Sequence, residues 1–552
     1  LHLLSRRQRQ MCIRDRFFLA VTVVFGKSQE NVIDITFNKL GAVYHKNESG
    51  NAVCKVIKAN NDITYEVVVE IVDIDKKPIG YKKTYTLSSP FERYYYVPFQ
   101  FSELGYYYLS VSFLHEDKVI FSKQEGFGVI PDVTLTKKDY DSPFGVGAHY
   151  ARYGDWRVAE IQQALGIAWV RDVARWKDFI GTARNTPDPF IDYLDRHNIC
   201  WLPILDYVDA RHGWQDENGI WRWDEDVTNI KKYVEMNGNR ILVYESQNEP
   251  SNFAGWNKRW PHPQGQKWRP QGWGVPFTDL VKQMHDSIKA VNGDIKLIWP
   301  GEEEWIEYFD DNREDVANHI DFTAIHPYIL WRKYPETSPF YDSFYKMQKE
   351  MLKKRNIPTE IWVTETGWTT YLPDSIRRHF PPVTEYQQAQ YLVRNYLVQL
   401  YFGAGKMFWY ELVEEPFGVH HPESGFGILR YNTMLTVKPA AVAFANMVNN
   451  YRYLKPIGKY LAKDRKTYGF IYENEKESGA PVLSIWREAD EKEELIPVKY
   501  TKSLTGVDIF GRTIEIPIID GMAHLPLSMS VLTVSGFDMD DLKNLYEPKE
   551  QY

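Results

Sequence analysis

Three textures of apolar and polar positions follow one another along the chain. From about residue 29 to 138 they alternate. Tyr65-Glu-Val-Val-Val-Glu-Ile-Val72 and Gly105-Tyr-Tyr-Tyr-Leu-Ser-Val-Ser-Phe113 have period two and are rich in β-branched and aromatic residues. Asn, Asp, Gly and Pro clusters separate such runs, which predicts an antiparallel β-sandwich. From about 139 to 448 short apolar runs alternate with helical patterns. Runs at 144–149, 168–171, 201–206, 241–248, 296–300, 322–326, 361–365 and 406–410 are candidate strands, and 277–291 and 384–401 are helix-like. Thr384 and Gln387 have capping-box spacing. Eight strand–helix units in one stretch predict a parallel (β/α)8 barrel. A doubly wound open sheet is the alternative, but it usually carries a Gly-rich phosphate loop after its first strand, and none follows 144–149. From about 449 to 540 strands return, at 468–472, 481–486 and 529–534, and predict a second β-sandwich. The acidic tail after Phe537, 541–552 above all, is expected in solvent.

The N-terminus has a different character. Phe17-Phe-Leu-Ala-Val-Thr-Val-Val-Phe25 is a short apolar run behind arginines, followed by Gly26-Lys-Ser28. It has the shape of a secretory signal and is too short to span a bilayer. The expected localisation is secreted or periplasmic. Residues 1–16 resemble translated sequencing-adapter read-through, the alternative being a long basic n-region. No later run is long and apolar enough for a membrane helix.

Charge narrows the partners. The 552 residues carry a formal −8, and the first 28 contribute +5 of that, leaving about −13 on the remainder. This disfavours nucleic acid and anionic membranes and suits a neutral sugar polymer. Beyond Cys12, only Cys54 and Cys200 remain. No disulfide framework is implied, and Cys200, opening an apolar run, reads as a buried small hydrophobe.

Two strings carry candidate chemistry: Glu245-Ser-Gln-Asn-Glu-Pro250 and Trp362-Val-Thr-Glu-Thr-Gly-Trp368. Each closes an apolar run with a glutamate. Two carboxyl groups on neighbouring strand ends are what glycosidic bond cleavage needs, and the carboxyl ends of barrel strands are where active sites lie. Glu245 has the strand parity of Glu249, so it is expected to point into the barrel and pair with a base such as Arg171. Glu302, Glu303, Glu304, Glu411, Glu414 and Glu415 are rival carboxylates after the fifth and eighth strands. His262 and His420-His421 lack metal-ligand spacing, so neither metal nor cofactor is expected.

Asn248-Glu249-Pro250 at the end of the fourth strand and Thr364-Glu365-Thr-Gly-Trp368 at the end of the seventh resemble the retaining (β/α)8 glycoside hydrolases of clan GH-A, with a layout similar to families 39 and 5. Arg171, His326-Pro-Tyr328 and Trp409, at the ends of the second, sixth and eighth strands, add to the resemblance. It implies Glu249 as general acid/base and Glu365 as nucleophile, with Arg171 and Tyr328 favouring the ionised Glu365. It implies Asn248 on the sugar 2-OH, His326 and His149 near the sugar, and Trp409 as a platform under the ring. The carboxyl groups would then stand about 5–5.5 Å apart. His149 could equally be a core histidine.

Of 18 tryptophans, 17 fall between 156 and 409. Trp214, Trp221 and Trp223 follow the third strand, Trp256, Trp260, Trp268 and Trp273 the fourth, and Trp368 the seventh. Aromatics in such loops suggest stacking on sugars; the alternative is that the loop at 251–276, a candidate wall or lid, packs on itself. The expected activity is β-glycoside hydrolysis with retention. The alternatives are transglycosylation by the same glutamates, or a non-catalytic carbohydrate-binding protein, which would need neither glutamate.

Overall fold

The computed structural model describes residues 32–58, 63–150, 155–180, 187–206, 208–250, 256, 259–260, 273–301, 318–328, 334–337, 340–354, 356–372, 381–476 and 479–549. The candidate signal segment, His262, Trp268 and Glu302–Glu304 lie outside them.

The middle of the chain forms eight parallel strands: Phe144–Gly147, Trp169–Val173, Cys200–Ile204, Val243–Glu245, Lys296–Ile298, Thr323–Ile325, Ile361–Thr366 and Ala404–Trp409. They pair in chain order, with the eighth beside the first. A parallel bridge from Ile298 to Phe322 joins the fifth and sixth, closing the barrel. The fourth strand stops at Glu245, short of the expected 248, so Asn248 and Glu249 stand on a loop beyond it. Helix Glu385–Phe402 opens with the capping box of Thr384 and Gln387 and ends on Gly403 in the left-handed conformation.

Inward side chains stack in layers, as barrel cores do. The lower layer is aromatic: Trp362 stacks on Phe322 at 5.2 Å and on Phe408 at 6.2 Å, with Trp169 edge-on at 5.7 Å. The upper layer is polar and holds Arg171, Glu245 and Thr364. Cys200 is fully buried at the start of the third strand. Among the described residues no helix is long and apolar enough to cross a membrane.

The N-terminal sandwich has sheets of three and five strands. All its pairs are antiparallel except Val43–His45, which runs parallel to Lys118–Ile130. Alternation does its expected work: Val67, Val69 and Ile71 from one sheet face Cys54, Val56 and Val97 from the other. This sandwich is tied to the barrel's last loop. Gly41 donates its N–H to Met434 O (2.8 Å) and accepts from Val437 N (3.0 Å). Gly41 has φ +74° with Ile161 packed 3.0 Å from where a Cβ would stand, so glycine is required there. Arg512 of the C-terminal region reaches Asp75 of the first sandwich at 2.6 Å.

The C-terminal region forms sheets of seven and three strands. The tail corrects an expectation. Tyr546–Pro548 pairs antiparallel with Leu454–Tyr460, and Leu542 is fully buried. Acidic composition marked the chain as solvated, but Leu542, Leu545 and Tyr546 pack on the sandwich core, and the edge strand gains a ladder partner.

Candidate active site

Strand parity places most of the site. Trp169 and Arg171 share the inward face of the second strand. Arg171 is 4 % exposed and fans over three partners. Its Nε donates to Glu245 Oε2 (2.5 Å) and Nη2 to Glu245 Oε1 (3.0 Å); Nη1 donates to Glu365 Oε1 (2.6 Å), and Nη2 also to Asn248 Oδ1 (2.8 Å). Glu245 further accepts from Gly301 N (3.2 Å) and Thr364 Oγ1 (3.3 Å). Burial disfavours the Arg171 charge, but the two carboxylates outweigh it and raise its pKa further. Glu245 is therefore the structural counter-ion, as its inward position predicted.

The seventh strand breaks parity at the decisive residue. Thr364 and Glu365 are consecutive, yet both reach the interior, while Thr366 turns outward to Asn395 of helix Glu385–Phe402 (3.1 Å). The pairing with the eighth strand shifts register between Val363 and Thr366. Such a bulge re-aims a side chain, and here it re-aims Glu365. The Tyr328 hydroxyl donates to Glu365 Oε2 at 3.0 Å. Burial, then the charge of Glu365, pushes the Tyr328 phenol well above its ordinary pKa, so it stays a donor.

Glu249 is held differently. It lies at φ +34°, a strained conformation for a side chain this size. Its Oε1 is 2.5 Å from His326 Nδ1, and His326 Nε2 is 3.0 Å from Thr364 Oγ1. Gly301 backs the imidazole so closely that a Cβ there would lie 2.0 Å from Nε2. Burial alone would lower the His326 pKa; the charge of Glu365 and the bond to Glu249 outweigh it and raise it. An oxygen of Glu249 and an oxygen of Glu365 lie within 4.8 Å of each other and of one His326 nitrogen.

Arg171, Asn248, Glu249, His326, Tyr328 and Glu365 thus converge. Trp409 and Trp368 do not present a face to the site: they are 0 % and 2 % exposed and stack on each other at 6.1 Å. The reason is parity again. Lys406 and Phe408 point inward, against Trp169 and Trp362, so Trp409 points outward. Tyr410, on the inward count, faces the interior where Trp409 does not. Its hydroxyl is 3.2 Å from Glu423 Oε2 and 3.5 Å from His149 Nε2. Burial, then Glu411, Glu423 and Glu365, raises its pKa well above the ordinary phenol value.

His149 sits beside buried carboxylates, with Nε2 3.7 Å from Glu411 Oε2 and 3.4 Å from Glu415 Oε1. Glu414 turns away to Lys438 at 2.9 Å. His149, Glu411 and Glu415, and separately His285, Asp286 and His319, bring ligand atoms within 4.8 Å of one another, a spacing found in metal sites and also in plain hydrogen-bonded clusters. His420 Nδ1 instead meets Leu372 O, and His421 caps the turn at Pro422–Gly425. The loop tryptophans mostly pack together: Trp223 lies 5.6 Å from Trp256, Trp256 5.5 Å from Trp260, and Trp221 4.9 Å from Trp260. Trp273 is fully buried against Phe277 at 5.7 Å, and Trp214 is half exposed. Trp221, Trp223, Trp256, Trp260 and Trp273 thus follow the packing alternative, and Trp214 keeps half its surface exposed.

No protein-family model and no curated protein matches the sequence. Solved structures do. A β-glucuronidase of Bacteroides uniformis aligns over 90% of this chain and 58% of its own, at 10% identity and a TM-score of 0.38. A family 39 glycoside hydrolase from the gut symbiont Bacteroides cellulosilyticus WH2 aligns over 91% of this chain and all of its own, at 19% identity and a TM-score of 0.65. The protein therefore has the fold of that family 39 glycoside hydrolase, from the first sandwich through the barrel to the last sheet.

Proposed function

We propose that the protein is a glycoside hydrolase that cleaves β-glycosidic bonds with retention, through a covalent glycosyl-enzyme intermediate. The observation that carries this is the pairing of Glu249 and Glu365, from different strands, with oxygens within 4.8 Å. Retaining enzymes hold their carboxyl groups about 5–5.5 Å apart, whereas inverting ones leave about 6.5–9.5 Å for a water. Glu365 is the nucleophile: its two oxygens accept from the Arg171 guanidinium and the Tyr328 hydroxyl, which fix its orientation. Glu249 is the acid. With His326 Nδ1 at 2.5 Å, the pair can share one proton, which Glu249 delivers to the leaving group.

Attack by Glu365 on the anomeric carbon forms the glycosyl ester while the proton passes from Glu249 to the departing oxygen. Water, deprotonated by Glu249, then releases the sugar. Asn248, oriented by Arg171, is placed for the 2-OH, whose hydrogen bond strengthens in the transition state. Tyr410 and His149 line the side of the site beyond Glu365. The fold of a family 39 glycoside hydrolase supports the same reading, as the apolar run at 17–25 supports export.

The test is a panel of aryl β-glycosides and polysaccharides, with Glu365→Ala as control. Hydrolysis is expected for at least one neutral glycoside, with a β-configured first product by NMR and no turnover by the variant. An α-configured first product, or turnover that survives in Glu365→Ala, would overturn the assignment.

A further inference from the structure

A cavity of about 480 Å³ opens beside the end of the first barrel strand. Its walls include His149, Asp155, Arg157, Tyr431, Asn432 and Thr433. That volume lies in the range of pockets that bury small ligands, roughly 300–1,000 Å³.

Its position round the barrel is informative. Glu249 follows the fourth strand, Glu365 ends the seventh, Tyr410 follows the eighth and His149 follows the first, and the eighth strand lies between the seventh and the first. Tyr410 and His149 meet at 3.5 Å, so the cavity shares its His149 wall with the Glu365 side of the site and has no wall in common with Glu249. In the proposed reaction Glu249 protonates the leaving group, which places the departing half of the substrate on its side. The retained half extends the other way, towards His149.

The lining indicates what kind of group fits. Arg157 Nε and Nη2 donate to Asp155 Oδ1 and Oδ2, at 2.9 and 2.7 Å, so this pair presents hydrogen-bonding atoms with no net charge. Behind His149 stand Glu411 and Glu415. Their field disfavours a carboxylate or sulfate on the ligand and tolerates hydroxyls. Tyr431 is 53 % exposed and offers a ring face. The wall is also preset. Asn432 Oδ1 accepts from Met434 N and Thr436 N at 3.1 and 3.2 Å, and Met434 O is held by Gly41. A preset wall lowers the ordering cost of binding.

We propose that this cavity binds a second, uncharged sugar on the retained side of the scissile bond, so that the preferred glycone is a disaccharide or longer unit. The proposal rests on the glycosidase reading for its orientation, and on the cavity alone for its sugar.

The experiment compares p-nitrophenyl β-glycosides of neutral monosaccharides with those of the matching β-linked disaccharides, using the full chain, Thr433→Trp and Tyr431→Ala. Thr433→Trp fills the cavity, Tyr431→Ala removes the ring face, and thermal melts confirm folding of each. Disaccharide kcat/KM is expected to exceed monosaccharide kcat/KM by about tenfold or more, an advantage worth about 1.4 kcal/mol. Both variants should erase that advantage and leave monosaccharide turnover within about twofold, since neither residue contacts Glu249 or Glu365. Equal rates on the two substrate lengths, or variants that slow both alike, would overturn it. Better turnover of a uronic-acid disaccharide would overturn the charge assignment.

A second arm needs no turnover. Glu365→Ala is titrated with neutral β-linked oligosaccharides, followed by NMR. Binding that Thr433→Trp abolishes upholds the sugar site even if the glycosidase reading fails. No binding and no turnover overturn both.

Discussion

The two glutamates are a few ångströms apart and live in different chemistry. Glu365 stands at a strand end, re-aimed by a bulge, between a buried guanidinium and a phenol. Glu249 stands on a loop past a shortened strand, at a strained φ, against an imidazole. A fixed cation can only stabilise a carboxylate. An imidazole can take or return a proton. The contrast in neighbours, with identical side chains in both places, is what the proposed roles of nucleophile for Glu365 and proton carrier for Glu249 rest on.

The contrast breaks most visibly in the leaving-group dependence of two variants. Glu365→Ala should lose on the order of 10⁵-fold in kcat on every substrate, as expected for a nucleophile in a set that acts as a unit. Glu249→Ala should lose about 10²–10⁴-fold on natural glycosides and far less on activated aryl glycosides, whose leaving groups need no proton. Initial rates across a series of aryl leaving groups would separate the two; parallel losses would equate the residues.

Next in size is the guanidinium. Arg171→Met leaves Glu245 and Glu365 as uncompensated charges at the core of the barrel, and should cost about 3–5 kcal/mol of unfolding free energy. Arg171→Met combined with Glu245→Met should recover part of that loss, measured by denaturant unfolding; additivity of the two changes would show that they do not interact.

The smallest effect sharpens the Glu249 side. His326 has its pKa raised in the folded protein. Its protonation then contributes stability fully present below the unfolded value, about 6.5, and lost as pH rises through the folded value. The gap in unfolding free energy between the wild type and His326→Asn should be wider at pH 6 than at pH 9. A gap that grows with pH would mean that burial wins over the two carboxylates.

The barrel was legible because period and length agree in its strands: all eight candidate runs became strands, from 144–149 to 406–410. The inward pairing of Arg171 with Glu245 was legible from the same parity. Four features were not. Trp409 drew attention as an aromatic at a strand end, although counting inward from Phe408 reaches Tyr410. The bulge at Glu365 leaves no mark in composition, since it depends on pairing with the next strand. The tryptophan-rich loops leave sugar stacking and self-packing both open in the sequence, because position along a barrel does not distinguish a ring turned to solvent from one packed on its neighbours, as Trp223 and Trp256 are. The tail misled for a related reason: Leu542 and Tyr546 matter more to its fate than the acids around them.

The clasp between Gly41 and Met434 and Val437 has a consequence for modularity. A segment near the start of the chain holds the loop that closes the barrel's last unit, so the first sandwich cannot be exchanged like a cassette. A homologous sandwich grafted onto this barrel would have to bring its own left-handed glycine to the same spot. Recombination across that boundary would tend to inherit the two pieces together or lose both.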